Sequence, residues 1–192
     1  GQPVERAVVA LHPVAGAPPA AAREWLVDQV DKRFVPALLA IQVGDRVNFP
    51  NSDNIRHHVY SFSPAKTFEL PLYHGIPAAP VTFERAGKVV LGCNIHDRMA
   101  AHIYVLDTPW FAVVENGSHR FDGLAPGDYE AEVLHPAQAE AAQRTLVHLA
   151  AATEVLTMTP TLQPPRPVDD TALSPLARKF KANAKSAWVS RT

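Results

Sequence analysis

The side chains best suited to chemistry crowd into one short stretch, Leu91-Gly-Cys-Asn-Ile-His-Asp-Arg-Met99. It carries Cys93, the only cysteine among 192 residues, with His96 at C-x2-H spacing and Met99 at H-x2-M spacing. Lys88-Val-Val-Leu91 before it and His102-Ile-Tyr-Val-Leu106 after it read as short apolar strands, so the three side chains share one tight loop. One thiolate, one imidazole and one thioether suit copper cycling between Cu(I) and Cu(II). Such a site needs a further imidazole from elsewhere, and Asn51-Ser-Asp-Asn-Ile-Arg-His-His-Val59 offers His57 and His58. A structural zinc site fits less well, because such sites rarely use methionine and favour several cysteines. A Cys–His hydrolase would need an orienting base on a pocket wall, which C-x2-H on one loop does not supply.

The elements that must position these residues read as strands. Period-2 alternation puts His57, Val59 and Ser61 on one face and His58, Tyr60 and Phe62 on the other. Ile41 to Phe49 alternates around a Gly44-Asp45 turn, and Val81 to Phe83 leads through Ala86-Gly87 into the Cys93 strand. Arg6 to Leu11 reads as a first strand, and the stretch from Ala20 to Val30 as a helical turn or a strand over Trp25-Leu-Val27. Ser63 to Pro80, with prolines at 64, 71, 77 and 80, reads as irregular.

These motifs resemble the cupredoxin (blue copper) family, with a short ligand loop of the amicyanin and plastocyanin type. The family writes its first ligand as Asn-x-x-x-x-Pro-His-Asn-Val and its loop as Cys-x-x-His-(x)n-Met. Six residues on from Asn51 stands His57, and Thr82-Phe83 with Ala86-Gly87 matches the approach to the cysteine strand. The match spans about residues 35 to 107. The resemblance implies a Greek-key β-sandwich, one copper ion, His57, Cys93 and His96 as equatorial ligands and Met99 as the weak axial one. Two positions depart from the pattern: Arg56 replaces the proline and His58 the asparagine. A His58–Asn94 hydrogen bond would restore the asparagine's tie, and His58 itself is the alternative ligand. His102, three residues past Met99, is a further alternative ligand but reads first as a strand residue. His74 reads as a loop or rim residue, Asp97 and Arg98 as a solvated loop pair, and His12, His119, His135 and His148 as surface residues.

Beyond Thr108-Pro109 the family pattern ends. Phe121-Asp-Gly-Leu-Ala-Pro-Gly-Asp-Tyr129 resembles the Phe-x-x-Leu-x-Pro-Gly-x-Tyr signature of carboxypeptidase regulatory-like domains, small transthyretin-like β-sandwiches. Trp110 to Val114, Tyr129 to Val133, Thr145 to Leu149 and Glu154 to Thr161 read as its strands. The organisation expected is therefore all-β, with a copper domain over residues 1–107, a second sandwich over 108–163 and a tail over 164–192. In the tail, Pro164-Pro-Arg-Pro167 is a stiff linker, and Ser174-Pro175 opens an amphipathic helix carrying Leu176, Phe180 and Ala184. Its Arg178, Lys179, Lys181, Lys185 and Arg191 face no acid after Asp170, so a basic arm for an acidic or membrane surface is the second reading.

Composition sets the outer bounds. Hydrophobic content of 47% argues for a core-bearing protein, and 18 prolines against 9 glycines for many loops and few long helices. A net charge of -1 gives no pull toward nucleic acid, and one cysteine leaves no intrachain disulfide. No apolar run reaches the length of a membrane span, and no signal peptide is visible at Gly1. The resemblance implies an exported or periplasmic monomer that meets a redox partner protein through the His96 loop, across an apolar patch of Leu70, Leu72, Ile76 and Met99. It is not expected to be an enzyme. The alternative function is copper tolerance, delivery or assembly without carrier duty. Similar pairs of domains are labelled methylamine-utilisation proteins, but no residue here speaks of amines.

Overall fold

The computed structural model describes residues 6–18, 21–77, 79–96, 98–115, 117–138, 142 and 144–150. The expected tail and the expected strand over residues 154–161 lie outside them. The described residues are all-β. The strands are β1 (Arg6–Pro13), β2 (Glu24–Leu26), β3 (Asp28–Val30), β4 (Arg33–Val35), β5 (Leu38–Gln42), β6 (Arg46–Asn48), β7 (His57–Ser63), β8 (Lys66–Tyr73), β9 (Val81–Thr82), β10 (Gly87–Cys93), β11 (Ala100–Leu106), β12 (Trp110–Glu115), β13 (Gly127–Leu134) and β14 (Thr145–Leu149). No helix among the described residues is long and apolar enough to cross a membrane.

The central layer is a five-stranded sheet in the order β5-β11-β10-β7-β8. Its inner face packs against the short sheet β2-β6-β9 and the hairpin β3-β4. Leu39, Ile41, Val59, Val89, Leu91, Cys93, Ala101, Ile103 and Val105 face Val27, Phe34, Val47, Phe49 and Phe83 there. The period-2 expectation for β7 holds: His57, Val59 and Ser61 are buried on this face, while His58, Tyr60 and Phe62 stack on the other.

The outer face of β5 and β11 is covered as well. Leu38, Ala40, Tyr104 and Leu106 pack against Val8 and Ala10 of β1, with Phe111, Val113 and Leu134 alongside. This second cover is one four-stranded sheet in the order β12-β1-β13-β14. The chain's first strand thus pairs with strands that follow Thr108, in register Leu11↔Trp110 and Leu11↔Ala131. Burial on both faces explains why every residue of β5 is buried and why Leu38-Leu-Ala-Ile-Gln42 lacks polar alternation. Thr108 locks the joint, its Oγ1 donating to the Leu11 carbonyl at 2.6 Å.

The Phe121–Tyr129 signature has a local role. Tyr129 is buried with Leu11 and Ala131 beneath Phe121 and Leu124, and its hydroxyl donates to the Ala125 carbonyl at 2.8 Å.

Of the two readings for residues 20–30 the strand is the one found, as two short strands, Glu24–Leu26 and Asp28–Val30. Two expectations change. Residues 66–73 are a strand despite Pro71. That strand is the sheet's outermost, and the register slips between His57 and Val59 opposite Pro71, so the missing N–H breaks no ladder bond. His12 is buried, not on the surface. Its Nε2 meets Glu132 Oε1 at 2.7 Å, and its Nδ1 lies 2.7 Å from Asp107 Oδ1, off hydrogen-bond geometry. It lines a cleft of about 400 Å³ between the two sheets, with Lys88, Tyr104, Glu132 and Arg144.

Candidate metal centre

Cys93 ends β10 on the core-facing side, following Val89 and Leu91 at period 2. Gly92 precedes it because a side chain there has no room: a Cβ would lie 2.6 Å from Cζ of Tyr60, its cross-strand partner. The chain then turns through Asn94 and Ile95 to His96, and the Met99 N–H donates to the His96 carbonyl at 3.0 Å. That contact folds Met99 back into the core, where it is 2% exposed in the same cluster as Cys93.

His57 opens β7, the strand beside β10 in the same sheet, and follows a loop pinned by Asn51. The Asn51 Nδ2 donates to the carbonyls of Ile55 at 2.8 Å and Tyr73 at 2.9 Å, and its Oδ1 accepts the Asp53 N–H at 3.1 Å. The six-residue interval from Asn51 to His57 is thus the length of one side-chain-braced loop. Tyr73 is held in turn by Gln29 and by the Phe49 carbonyl, to which its hydroxyl donates at 2.5 Å. Burial chiefly, with the nearby Cys93 and Asp28, pushes Tyr73 up to about 12, although the Gln29 hydrogen bond acts the other way. It stays a neutral donor.

The two segments converge. Cys93 Sγ lies 3.7 Å from His57 Nδ1 and 3.8 Å from His96 Nδ1, and one ligand atom from each residue lies within 4.8 Å of the others. The imidazole centroids stand 4.9 Å apart at 56°. An ion held at about 2.3 Å by sulfur and about 2.0 Å by nitrogen, at a trigonal or tetrahedral angle, separates those atoms by roughly 3.5 to 3.7 Å. The two sulfur–nitrogen spacings are close to those of a shared metal ion, and a single thiolate with two imidazoles, in the core cluster that also holds Met99, fits copper. Burial chiefly holds His96 below the usual histidine range, so its ring offers a lone pair at neutral pH.

The other sequence candidates lie outside this cluster. His58 points to the opposite face of β7, where its Nε2 meets Glu69 Oε1 at 2.8 Å. The tie to Asn94 expected from the sequence is replaced by that pair. His102 pairs with Val90 across the sheet, on the face of Tyr104 and away from Ala101 and Ile103. Both fall on the far side because strand alternation separates them from His57 and from the core-facing residues of β11. His74 is exposed, as is Arg98; Asp97 lies outside the described residues. Sequence reading missed Asp53, whose Oδ2 lies 2.6 Å from His57 Nε2. An acid two residues past Asn51, in an otherwise polar loop, carries no signal of its own.

No protein-family model matches the chain, and no curated protein matches it. Solved structures do. One is the Cu-containing nitrite reductase from Thermus scotoductus SA-01, at 29% identity, TM-score 0.41, over 50% of this chain and 25% of that one. A second is a purple cupredoxin from Nitrosopumilus maritimus, at 21% identity, TM-score 0.37, over 42% of this chain and 96% of that one. A third is a mutant of amicyanin in its Cu(I) form, at 20% identity, TM-score 0.39, over 50% of this chain and 99% of that one. The chain spans a quarter of the nitrite reductase's length and nearly all of the two smaller proteins.

Proposed function

We propose that this protein binds one copper ion in a mononuclear type 1 site and passes single electrons. The observation that carries the reading is the meeting of His57 Nδ1, Cys93 Sγ and His96 Nδ1 within 4.8 Å of one another, from segments 36 residues apart. Bound copper would supply one-electron chemistry between Cu(II) and Cu(I). In this reading His57, Cys93 and His96 hold the ion and Met99 stands as the axial thioether.

The chain's own residues do the rest. Cys93 and His57 are held by paired strands inside a packed core, so the ligands keep their places when the charge between them changes. A small rearrangement favours rapid electron exchange. His96 lies on the surface loop, and its ring edge is the exit toward a partner. Ile95, Leu72 and Ile76 are exposed and form the apolar surround, whereas Leu70 packs against the core and Met99 is too buried to take part. Weak redox encounters need only a small interface of this kind. The protein works as a periplasmic or otherwise exported monomer.

The test is voltammetry of the copper-loaded protein. A reversible one-electron wave, absent from the metal-free protein, supports the carrier. A colourless Cu(I) complex that shows no wave and surrenders its ion to a competing chelator would replace it with copper delivery.

A further inference from the structure

Asp53 is built into the back of the site by three contacts from two segments. Its Oδ2 takes His57 at 2.6 Å, its Oδ1 accepts the Asp31 N–H at 2.7 Å, and Oδ2 also accepts the Lys32 N–H at 2.9 Å. Asp31 and Lys32 form the two-residue tip of the β3-β4 hairpin, with φ of 52° and 58°. Such a turn favours Asn-Gly, and two consecutive side-chain-bearing residues with positive φ are disfavoured. The carboxylate holds the turn in place, and the turn holds the carboxylate against His57. His57 itself is fully buried, so its Nε2 has no water to turn to.

We propose that Asp53 is a positioning residue for the metal centre: it accepts the His57 Nε2–H, leaves the Nδ1 lone pair facing Cys93 Sγ, and places a negative charge behind that ligand. The charge favours the higher oxidation state of a bound metal and lowers its reduction potential. The effect on potential rests on the copper reading above; the ring tautomer does not.

Two measurements test it. Long-range 1H–15N NMR of the metal-free protein at pH 8 should find His57 protonated on Nε2 and bare on Nδ1, and Asp53→Ala, which leaves Nε2 no acceptor, should abolish that single-tautomer state. A His57 ring protonated on Nδ1 in the unaltered protein overturns the proposal. In the copper-loaded protein, Asp53→Asn and Asp53→Ser should each shift the balance toward Cu(I) about tenfold, a rise of about 59 mV for one electron. The same shift should appear when Asp53→Asn is made in an Asp31→Asn/Lys32→Gly background, whose turn needs no carboxylate to hold it. A shift that vanishes in that background means Asp53 serves only the hairpin. If the unaltered protein takes up no copper, the functional reading fails, while the tautomer still decides the role of Asp53.

Discussion

Removing the Asn51 side chain should loosen the whole His57 loop. Asn51 is 2% exposed, and Asn51→Ala strands two carbonyls, of Ile55 and Tyr73, and the Asp53 N–H. A buried polar group left without its partner costs about 1–3 kcal/mol. Each carbonyl keeps a second lone pair and the loop borders solvent, so the low end applies, giving about 3 to 4 kcal/mol in all. With a urea slope of about 2 kcal/mol per molar, the unfolding midpoint of the metal-free protein should fall by about 1.5 to 2 M. Asn51→Asp should be worse, because it turns a carboxylate oxygen toward two carbonyl oxygens now 2.8 and 2.9 Å from Nδ2. Both variants should also weaken copper binding through His57. A loss below about 1 kcal/mol for Asn51→Ala would refute the reasoning and assign the loop's shape to the backbone pairing of Asn51 with Gly75.

Three further outcomes are expected. His102 is held down to about 4 by burial, then by Lys88 and His135, so its neutral form contributes stability above about 6.5 that is lost as pH falls toward 4. His102→Leu should flatten the pH profile of thermal unfolding across that window, by up to about 3 kcal/mol. Gly92→Val forces the Tyr60 ring off the sheet and should cost about 1–3 kcal/mol in urea unfolding, most of which Tyr60→Ala should restore in the double variant. Thr108→Val removes the buried bond to the Leu11 carbonyl and should cost about 1–2 kcal/mol by the same assay.

The candidate metal site was readable because its potential donors are local. Cys93, His96 and Met99 sit within seven residues, and the Asn51-to-His57 interval is set by one braced loop. Alternation also separated His57 from His58, since β7 has one core face and one outer face. What sequence order hid was non-local pairing. β1 joins strands about a hundred residues away, which buries His12 in the middle of a sheet that local pattern cannot foresee. The prolines around residues 64–80 masked β8, because an outermost strand tolerates a missing donor that a central one does not. Asp53 acquires its role only through the hairpin tip at Asp31-Lys32, again distant in sequence.

Copper binding of the type 1 kind requires the lone thiol, Cys93. The optical and paramagnetic spectra of the copper-loaded protein should be recorded beside those of Cys93→Ala. An intense visible sulfur-to-copper band that disappears in the variant is the expected result. Colour of equal strength in both proteins, or no band in either, would contradict it.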